Sequence, residues 1–271
     1  MSNNYFEIMQ HVNNHHCHVK RHYHGYQVIF TALLGSQNYE LANENSDYDT
    51  ISLILPPFKD FIGGASMVSN ELTLNDGKCI VKDFRHAIQL LRKTSPNSVE
   101  YFSSPYITYN FIYTTTLESY LNNDLSLFYL THNWYKHMKD AISGMCHQLH
   151  GRNMSAGKRY SHALRLLELY KNFIKPYNKG EYNLFKWNES MNLAAAKNAK
   201  FTPVTNYENY YNSETEHIAN YIYNAKLEDP NIPSIEAMSQ EYIDDFLNDI
   251  INTYLQLKGY RRYDYETEAY L

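Results

Sequence analysis

The sequence predicts an α+β protein, in which a small mixed β-sheet flanked by helices is followed by an α-helical C-terminal domain. Three observations predict it. Two apolar β-type runs, Tyr26–Leu34 and Asp47–Leu55, are joined by a short polar segment. Asn75-Asp76-Gly77, a strong hairpin signal, stands between two further strand-like runs. From about Thr114 the strand-like texture gives way to helical periodicity, which sets the expected domains at residues 1–114 and 115–271.

Composition narrows the class. The chain has 271 residues, 44% hydrophobic and 20% charged, as expected of a soluble globular protein with one large or two small domains. No apolar run approaches the roughly 20 residues of a membrane span. The start, Met1 to Tyr5, lacks the basic and apolar regions of a signal peptide. Cys17, Cys79 and Cys146 are far apart and form no Cys-x-x-Cys pair, so they read as reduced thiols of a cytoplasmic protein. A formal net charge of −5 argues against broad nonspecific binding to nucleic acid.

Taken in order, Tyr5, Ile8, Met9 and Val12 fall at i, i+3, i+4, i+7 and form the apolar stripe of an N-terminal helix. His15, His16, His18, His22 and His24 follow, around Cys17. This tract reads as a flexible polar linker or as a Zn²⁺ site, and its spacing matches no closed metal motif. Tyr26–Leu34 is nearly continuous in apolar character, which marks a central strand. The second strand, Asp47–Leu55, stops at Pro56-Pro57. Met67–Leu74 and Lys78–Lys82 are the third and fourth strands, on either side of the hairpin turn. Asp83 stands at the N-cap of a helical pattern, Phe84–Lys93, that Ser95-Pro96-Asn97 ends.

Beyond the boundary, Trp134, Met138, Ala141, Ile142 and Met145 form one helical stripe. Leu164, Leu167, Tyr170 and Ile174 form another. Asn178–Lys200 has an alanine run in a helical context, and Phe201–Asn212 reads as a loop. Ile218, Tyr221, Ile222 and Ala225 suggest a helix that ends before Pro230. Ile243, Phe246, Leu247, Ile250 and Ile251 mark an amphipathic helix whose Asp244, Asp245 and Asp249 face water. Gly259–Tyr263 reads as a frayed terminus.

The chemistry concentrates between Phe30 and Leu55. Asp47 and Asp49 are one residue apart, so on a strand they point to the same face. Two carboxylates side by side repel each other unless a cation lies between them, and hard divalent ions take such oxygen ligands. Gly35-Ser36 ends the first strand and can lead into a short helix. The free N–H groups there, with the Ser36 hydroxyl, suit a phosphate, and Gly35 permits close backbone approach. A phosphate cradle beside a metal-binding pair is the minimum for transferring a phosphorus group.

The string Gly35-Ser36-Gln37-Asn38-Tyr39-x-Leu41-Ala42-x-x-x-Ser46-Asp47-Tyr48-Asp49-Thr50 resembles the signature of the DNA-polymerase-β-type nucleotidyltransferase superfamily. Within it, the string is similar to a subgroup of small predicted nucleotidyltransferases common in bacteria and their phages. The resemblance implies a nucleotidyltransferase sheet domain followed by a helical domain, with Asp47 and Asp49 as catalytic metal ligands for Mg²⁺ or Mn²⁺. It also implies a nucleotide site that includes Gly35, Ser36 and Asn38. Two positions depart from the pattern. A third carboxylate is expected on the fourth strand, where Ile80 takes its place, and Asp83 already has the N-cap role. Glu40 stands where Gly is expected, and its carboxylate would crowd or repel a triphosphate.

In the helical half, Lys158, His162 and Arg165 share one face at 3.6 residues per turn. They can hold a triphosphate and steady the leaving pyrophosphate, and the subgroup has Lys, His and Arg at similar spacing. The competing expectation is a polar face turned to water. The expected function is therefore transfer of a nucleoside monophosphate from a nucleoside triphosphate, ATP among them, to a hydroxyl acceptor by two-metal chemistry with release of pyrophosphate. The acceptor is an RNA end, a protein hydroxyl or a small molecule, and no membrane is involved. The alternative, motivated by Ile80 and Glu40, is a catalytically degenerate member that binds a nucleotide or a protein partner.

Overall fold

The computed structural model describes residues 2–64, 66–93, 95–121, 134–173, 184–201, 207–225, 240–259, 263–264 and 269–270. Five strands form one mixed sheet: β1 (Gln27–Leu33), β2 (Thr50–Leu55), β3 (Ser69–Leu74), β4 (Gly77–Asp83) and β5 (Ile107–Tyr109). Their order is β3-β4-β2-β1-β5. β2 and β4 run parallel, and the other neighbours are antiparallel. The two most apolar runs, β1 and β2, lie inside the sheet, as continuous apolar strands must. The helices are α1 (Ser2–His22), α2 (Phe58–Ile62), α3 (Phe84–Arg92), α4 (Pro96–Phe102), α5 (Thr114–Leu121), α6 (Trp134–Gln148), α7 (Ala156–Phe173), α8 (Ser190–Phe201), α9 (Glu208–Asn224) and α10 (Gln240–Leu257). A two-residue pair, β6 (Tyr263–Asp264) with β7 (Ala269–Tyr270), stands apart from the main sheet.

Helix α1 covers one face of the sheet. Ile8 and Val12 pack with Leu33, and Val19 packs with Val28, Ile54, Cys79 and Val81. His15, His16, His18 and His22 thus belong to a helix and not to a linker, and His24 lies in the turn that follows. The stripe Ile8, Val12, His15, His16, Val19 continues down α1, with both imidazoles buried. Each finds polar partners on the sheet. His15 Nδ1 lies 2.8 Å from Thr50 Oγ1 and its Nε2 2.9 Å from Asp76 Oδ1. His16 Nδ1 lies 3.0 Å from Thr31 Oγ1, which is 2.6 Å from Ser52 Oγ. Such partners are what make buried polar groups tolerable. Burial, with Lys20 adding, lowers His16 to about 4 and keeps it neutral. Among the described residues, no group of three or more His, Cys, Asp and Glu side chains is placed to hold a metal ion.

The opposite face carries the larger core. It joins Phe30 and Leu53 of the sheet to Phe84, Phe102, Leu166 and Phe246 of the helices. A register shift between Val28 and Phe30 sends both Ile29 and Phe30 toward this core, the usual effect of a bulge. Asp83 is the N-cap of α3, as expected: its carboxylate accepts from the Arg85 N–H at 2.9 Å and takes two further bonds from the guanidinium. Ser95-Pro96 ends α3 by starting α4, with proline in the first turn.

Some expectations change. Glu208–Asn212 belongs to α9, so the expected loop Phe201–Asn212 is shorter. Tyr221 faces solvent while Ile218 and Ile222 are buried. On α10 Asp245 is exposed, Asp244 pairs with Arg92 while its side chain stays open to solvent, and Asp249 accepts from Tyr120 at 2.8 Å. Ile174, Asn178–Tyr182, Pro230 and Tyr260–Arg262 lie outside the described residues. No described helix is long and apolar enough to cross a membrane.

Candidate active site

Asp47 and Asp49 are not on β2 itself, as the sequence suggested, but on the extended segment that leads into it. Backbone pairing runs on past the strand and preserves the alternation. The Leu34 N–H donates to the Asp49 carbonyl at 2.8 Å, and the Tyr48 N–H donates to the Asp76 carbonyl at 2.9 Å. The Tyr48 ring stacks on His11 of α1, with centroids 3.8 Å apart. Asp47 and Asp49 therefore belong to the other face. Gly77 makes this packing possible, since a Cβ there would lie 2.5 Å from the Tyr48 carbonyl oxygen. Burial pushes the Asp49 carboxyl above the usual range; the Lys78 N–H pulls it back, and the Asp47 charge pushes it up again. A carboxylate pair in this condition fits a divalent cation.

The parallel register between β2 and β4 corrects the third position. Ile51 pairs with Ile80, and Thr50 with Cys79. The residue beside Asp49 is thus Lys78, whose N–H donates to Asp49 Oδ1 at 3.2 Å. Ile80 lies two residues deeper and packs against the core.

Gly35 and Ser36 open a five-residue 3₁₀ helix, Gly35–Tyr39. Gly35 is needed for its φ of +72°, and a Cβ there would meet no protein atom within 4 Å. Glu40 caps this turn at φ 56° and is exposed. The departure from Gly thus costs backbone strain, and Glu40 does not line the cavity described below. Asn38 is buried, donates to the Leu33 carbonyl at 2.9 Å and accepts from Ser104 at 3.1 Å. It braces the turn and stands outside the cavity.

The basic wall comes from the helical half. The 3.6-residue repeat of α7 puts Lys158, Ser161, His162 and Arg165 on one side. Arg165 is buried, with its guanidinium over the Tyr39 ring at 4.9 Å and 3.5 Å from Glu100 Oε1. Tyr39 donates to the same oxygen at 2.6 Å. Arg165 Nε is buried without a hydrogen-bond partner among the described residues. Burial, then the charges of Arg165, Arg152, Lys200 and Lys158, lowers His162 to about 3, so its imidazole is neutral.

Lys200 completes the wall, and the sequence reading missed it. A lysine in the last turn of α8 looks like an ordinary complement to the helix dipole. Its ammonium donates to the Leu41 carbonyl at 2.6 Å. Burial, with Lys158 and Arg165 adding, lowers it to about 8. Gly157 allows the approach: a Cβ there would lie 2.0 Å from the Ala199 carbonyl oxygen.

Acidic edge and basic wall meet across one cavity of about 450 Å³. Its lining brings together Gly35, Ser36, Asp47, Asp49, Lys158, His162 and Arg165, and adds Ser46, Lys200 and Phe201. A lysine lowered by burial and by the cations beside it, with an orphaned guanidinium N–H in the same wall, fits a multiply charged anion.

The model of the family described as RlaP, RNA repair pathway DNA polymerase beta family, matches residues 3–175. No curated protein matches the chain. Among solved structures, a nucleotidyltransferase-like protein from Exiguobacterium sibiricum is similar at 11% identity, with 94% of this chain and 93% of that chain covered and a TM-score of 0.30. The family match spans well over half of the sequence, and the chain belongs to the RNA repair pathway DNA polymerase beta family, which is nucleotidyltransferase-like.

Proposed function

We propose that the protein transfers a nucleoside monophosphate from a nucleoside triphosphate to a hydroxyl group. The observation that carries this is that one cavity has a carboxylate pair on one side and a cationic wall on the other. Arg165, Lys158 and Lys200 hold the β- and γ-phosphates, with Gly35 and Ser36 at the turn beside them. Neutral His162 donates one N–H to a phosphate oxygen. Asp47 and Asp49 hold Mg²⁺ or Mn²⁺, which when bound supplies positive charge at the α-phosphate. The acceptor oxygen bonds to the α-phosphorus, the bond to pyrophosphate breaks, and the hydroxyl proton passes to solvent. The wall offsets the charge that develops on pyrophosphate. The family description names an RNA repair pathway, and this favours an RNA end over a protein hydroxyl or a small molecule as acceptor.

Incubation with each α-labelled triphosphate, Mg²⁺ and RNA oligonucleotides tests the proposal. Label should appear on RNA with the wild type and not with Asp49→Asn. Absence of label with every triphosphate, or equal transfer by Asp49→Asn, would overturn it.

A further inference from the structure

Helix α1 holds the two residues that alternate with the aspartates. Tyr48 stands between Asp47 and Asp49, and Thr50 follows Asp49. The Tyr48 ring lies flat on the His11 imidazole, with centroids 3.8 Å apart and planes 8° apart, and its hydroxyl donates to Glu7 Oε1 at 3.1 Å. His15, one helical turn further on, has Nδ1 2.8 Å from Thr50 Oγ1. Both imidazoles end on one carboxylate. His11 Nδ1 contacts Asp76 Oδ2, and His15 Nε2 lies 2.9 Å from Asp76 Oδ1. Burial raises the Asp76 carboxyl, but the bonds from His15 and then His11 outweigh it and hold the group below its ordinary value. Ionised Asp76 can only accept, so both imidazoles donate to it. Its backbone carbonyl in turn accepts the Tyr48 N–H at 2.9 Å.

Asp47 and Asp49 precede the first residue of β2, so the strand ladder does not by itself fix them. Their side chains line the cavity while Tyr48 and Thr50 meet α1, as alternation along an extended segment requires. Whatever fixes Tyr48 and Thr50 therefore fixes the direction of both carboxylates. Residues behind metal ligands commonly contribute about 10–100-fold to metal affinity by fixing those ligands. His18 and His22, of the same tract, are exposed.

From this geometry we infer that His11 and His15, joined through Asp76, are positioning residues of the metal site, which clamp Tyr48 and Thr50 from behind and so aim Asp47 and Asp49 at one ion. The inference rests on the reading of the two aspartates as metal ligands. It gives α1 a part in the site although no residue of that helix lines the cavity.

Mn²⁺ uptake by the full chain, read from loss of the free-ion signal in electron paramagnetic resonance, tests this. Calorimetric titration with inorganic triphosphate in EDTA is the second readout. His11→Ala removes the stack on Tyr48 and one bond to Asp76, and Asp76→Asn removes the charge that both imidazoles share. Each should weaken Mn²⁺ binding by about tenfold. Each should leave metal-free triphosphate binding unchanged, because Lys158, Arg165 and Lys200 stand across the cavity. His11→Phe keeps a ring on Tyr48 and should recover part of what His11→Ala loses. His18→Ala should bind Mn²⁺ as the wild type does, and circular dichroism checks that each variant folds. Wild-type Mn²⁺ affinity in both His11→Ala and Asp76→Asn would overturn the inference. An equal loss in the two readouts would also overturn it, since these residues would then serve the fold alone. A wild type that binds inorganic triphosphate but takes up no Mn²⁺ would overturn the aspartate metal site, and the inference with it, an outcome distinct from either.

Discussion

Gly157→Ala is a one-methyl change with opposed consequences for helix propensity and packing. In α7 alone, alanine is preferred over glycine, by up to about 1 kcal/mol in a helix interior. In the fold, the new methyl would lie 2.0 Å from the Ala199 carbonyl oxygen, and the obstacle is backbone at the end of α8. Ordinary contact lies above 3.4 Å, so the two helices must part by more than an ångström. Overpacking of this kind costs typically 1–3 kcal/mol, and Gly157 lies in the first turn of α7, where the propensity gain is smaller than in the interior, so the net is a destabilisation of up to about 3 kcal/mol. That corresponds to a fall of up to roughly 12 °C in Tm. The displaced end of α8 also carries Lys200 away from the Leu41 carbonyl, so triphosphate affinity should fall with stability. Gly144→Ala is the matched control. Gly144 lies within α6 with nothing within 4 Å of its would-be Cβ, so alanine there should stabilise by about 1 kcal/mol. Thermal unfolding of both variants, with and without triphosphate, reads the contrast. If Gly157→Ala raises Tm as Gly144→Ala does, the close approach of α7 and α8 is wrong.

Three further outcomes are expected. Lys200 is lowered to about 8 by burial first, then by Lys158 and Arg165, so triphosphate affinity should be steady below pH 8. Above it, affinity should drop by up to about tenfold per pH unit, because the free protein gives up the proton that the bound anion favours; calorimetric titration of Lys200→Met should show a flat profile there. His162 is lowered from 6.5 to about 3, chiefly by burial and then by Arg165. The unfolded chain takes up that proton below pH 6.5 and the folded chain does not, so stability should fall as pH drops from 6.5 toward 3. Urea unfolding of His162→Gln should show a shallower fall; His16 contributes a similar slope down to about 4. Asp83→Ala removes both the α3 cap and the partner of Arg85, and should cost about 1–3 kcal/mol in chemical denaturation. Asp83→Asn, which keeps the cap oxygen, should cost less.

The site was legible where chemistry depends on spacing within one element. The parity of Asp47 and Asp49 and the helical spacing of Lys158, His162 and Arg165 are local patterns, and the cavity gathers them as the sequence suggested. The Asp83 cap and the Asn75-Asp76-Gly77 turn are equally local. What could not be read depends on register between elements. That Lys78 and not Ile80 neighbours Asp49 follows from a parallel pairing of β2 with β4, which no spacing in the chain encodes. Lys200 reaches the wall only because Gly157 lets α8 close on α7, a contact between residues 42 positions apart. The histidines of α1 misled for another reason: imidazole counts as polar, yet it can hold an apolar position when Thr50, Thr31 and Asp76 receive its nitrogens. The signal that would have extended the helix was there, in Val12 and Val19 seven residues apart.

Thermal unfolding with each nucleoside triphosphate, with and without Mg²⁺ or Mn²⁺, needs no knowledge of the acceptor. A ligand at a hundredfold its Kd adds about 2.7 kcal/mol, or roughly 5–10 °C in Tm for a protein of this size. The cavity predicts such a rise with at least one triphosphate, larger with the metal, and predicts that Asp49→Asn loses the metal-dependent part. A wild type that no triphosphate stabilises in either metal, or an Asp49→Asn variant that keeps the full metal-dependent rise, would contradict the assignment of this cavity as a metal-dependent nucleotide site.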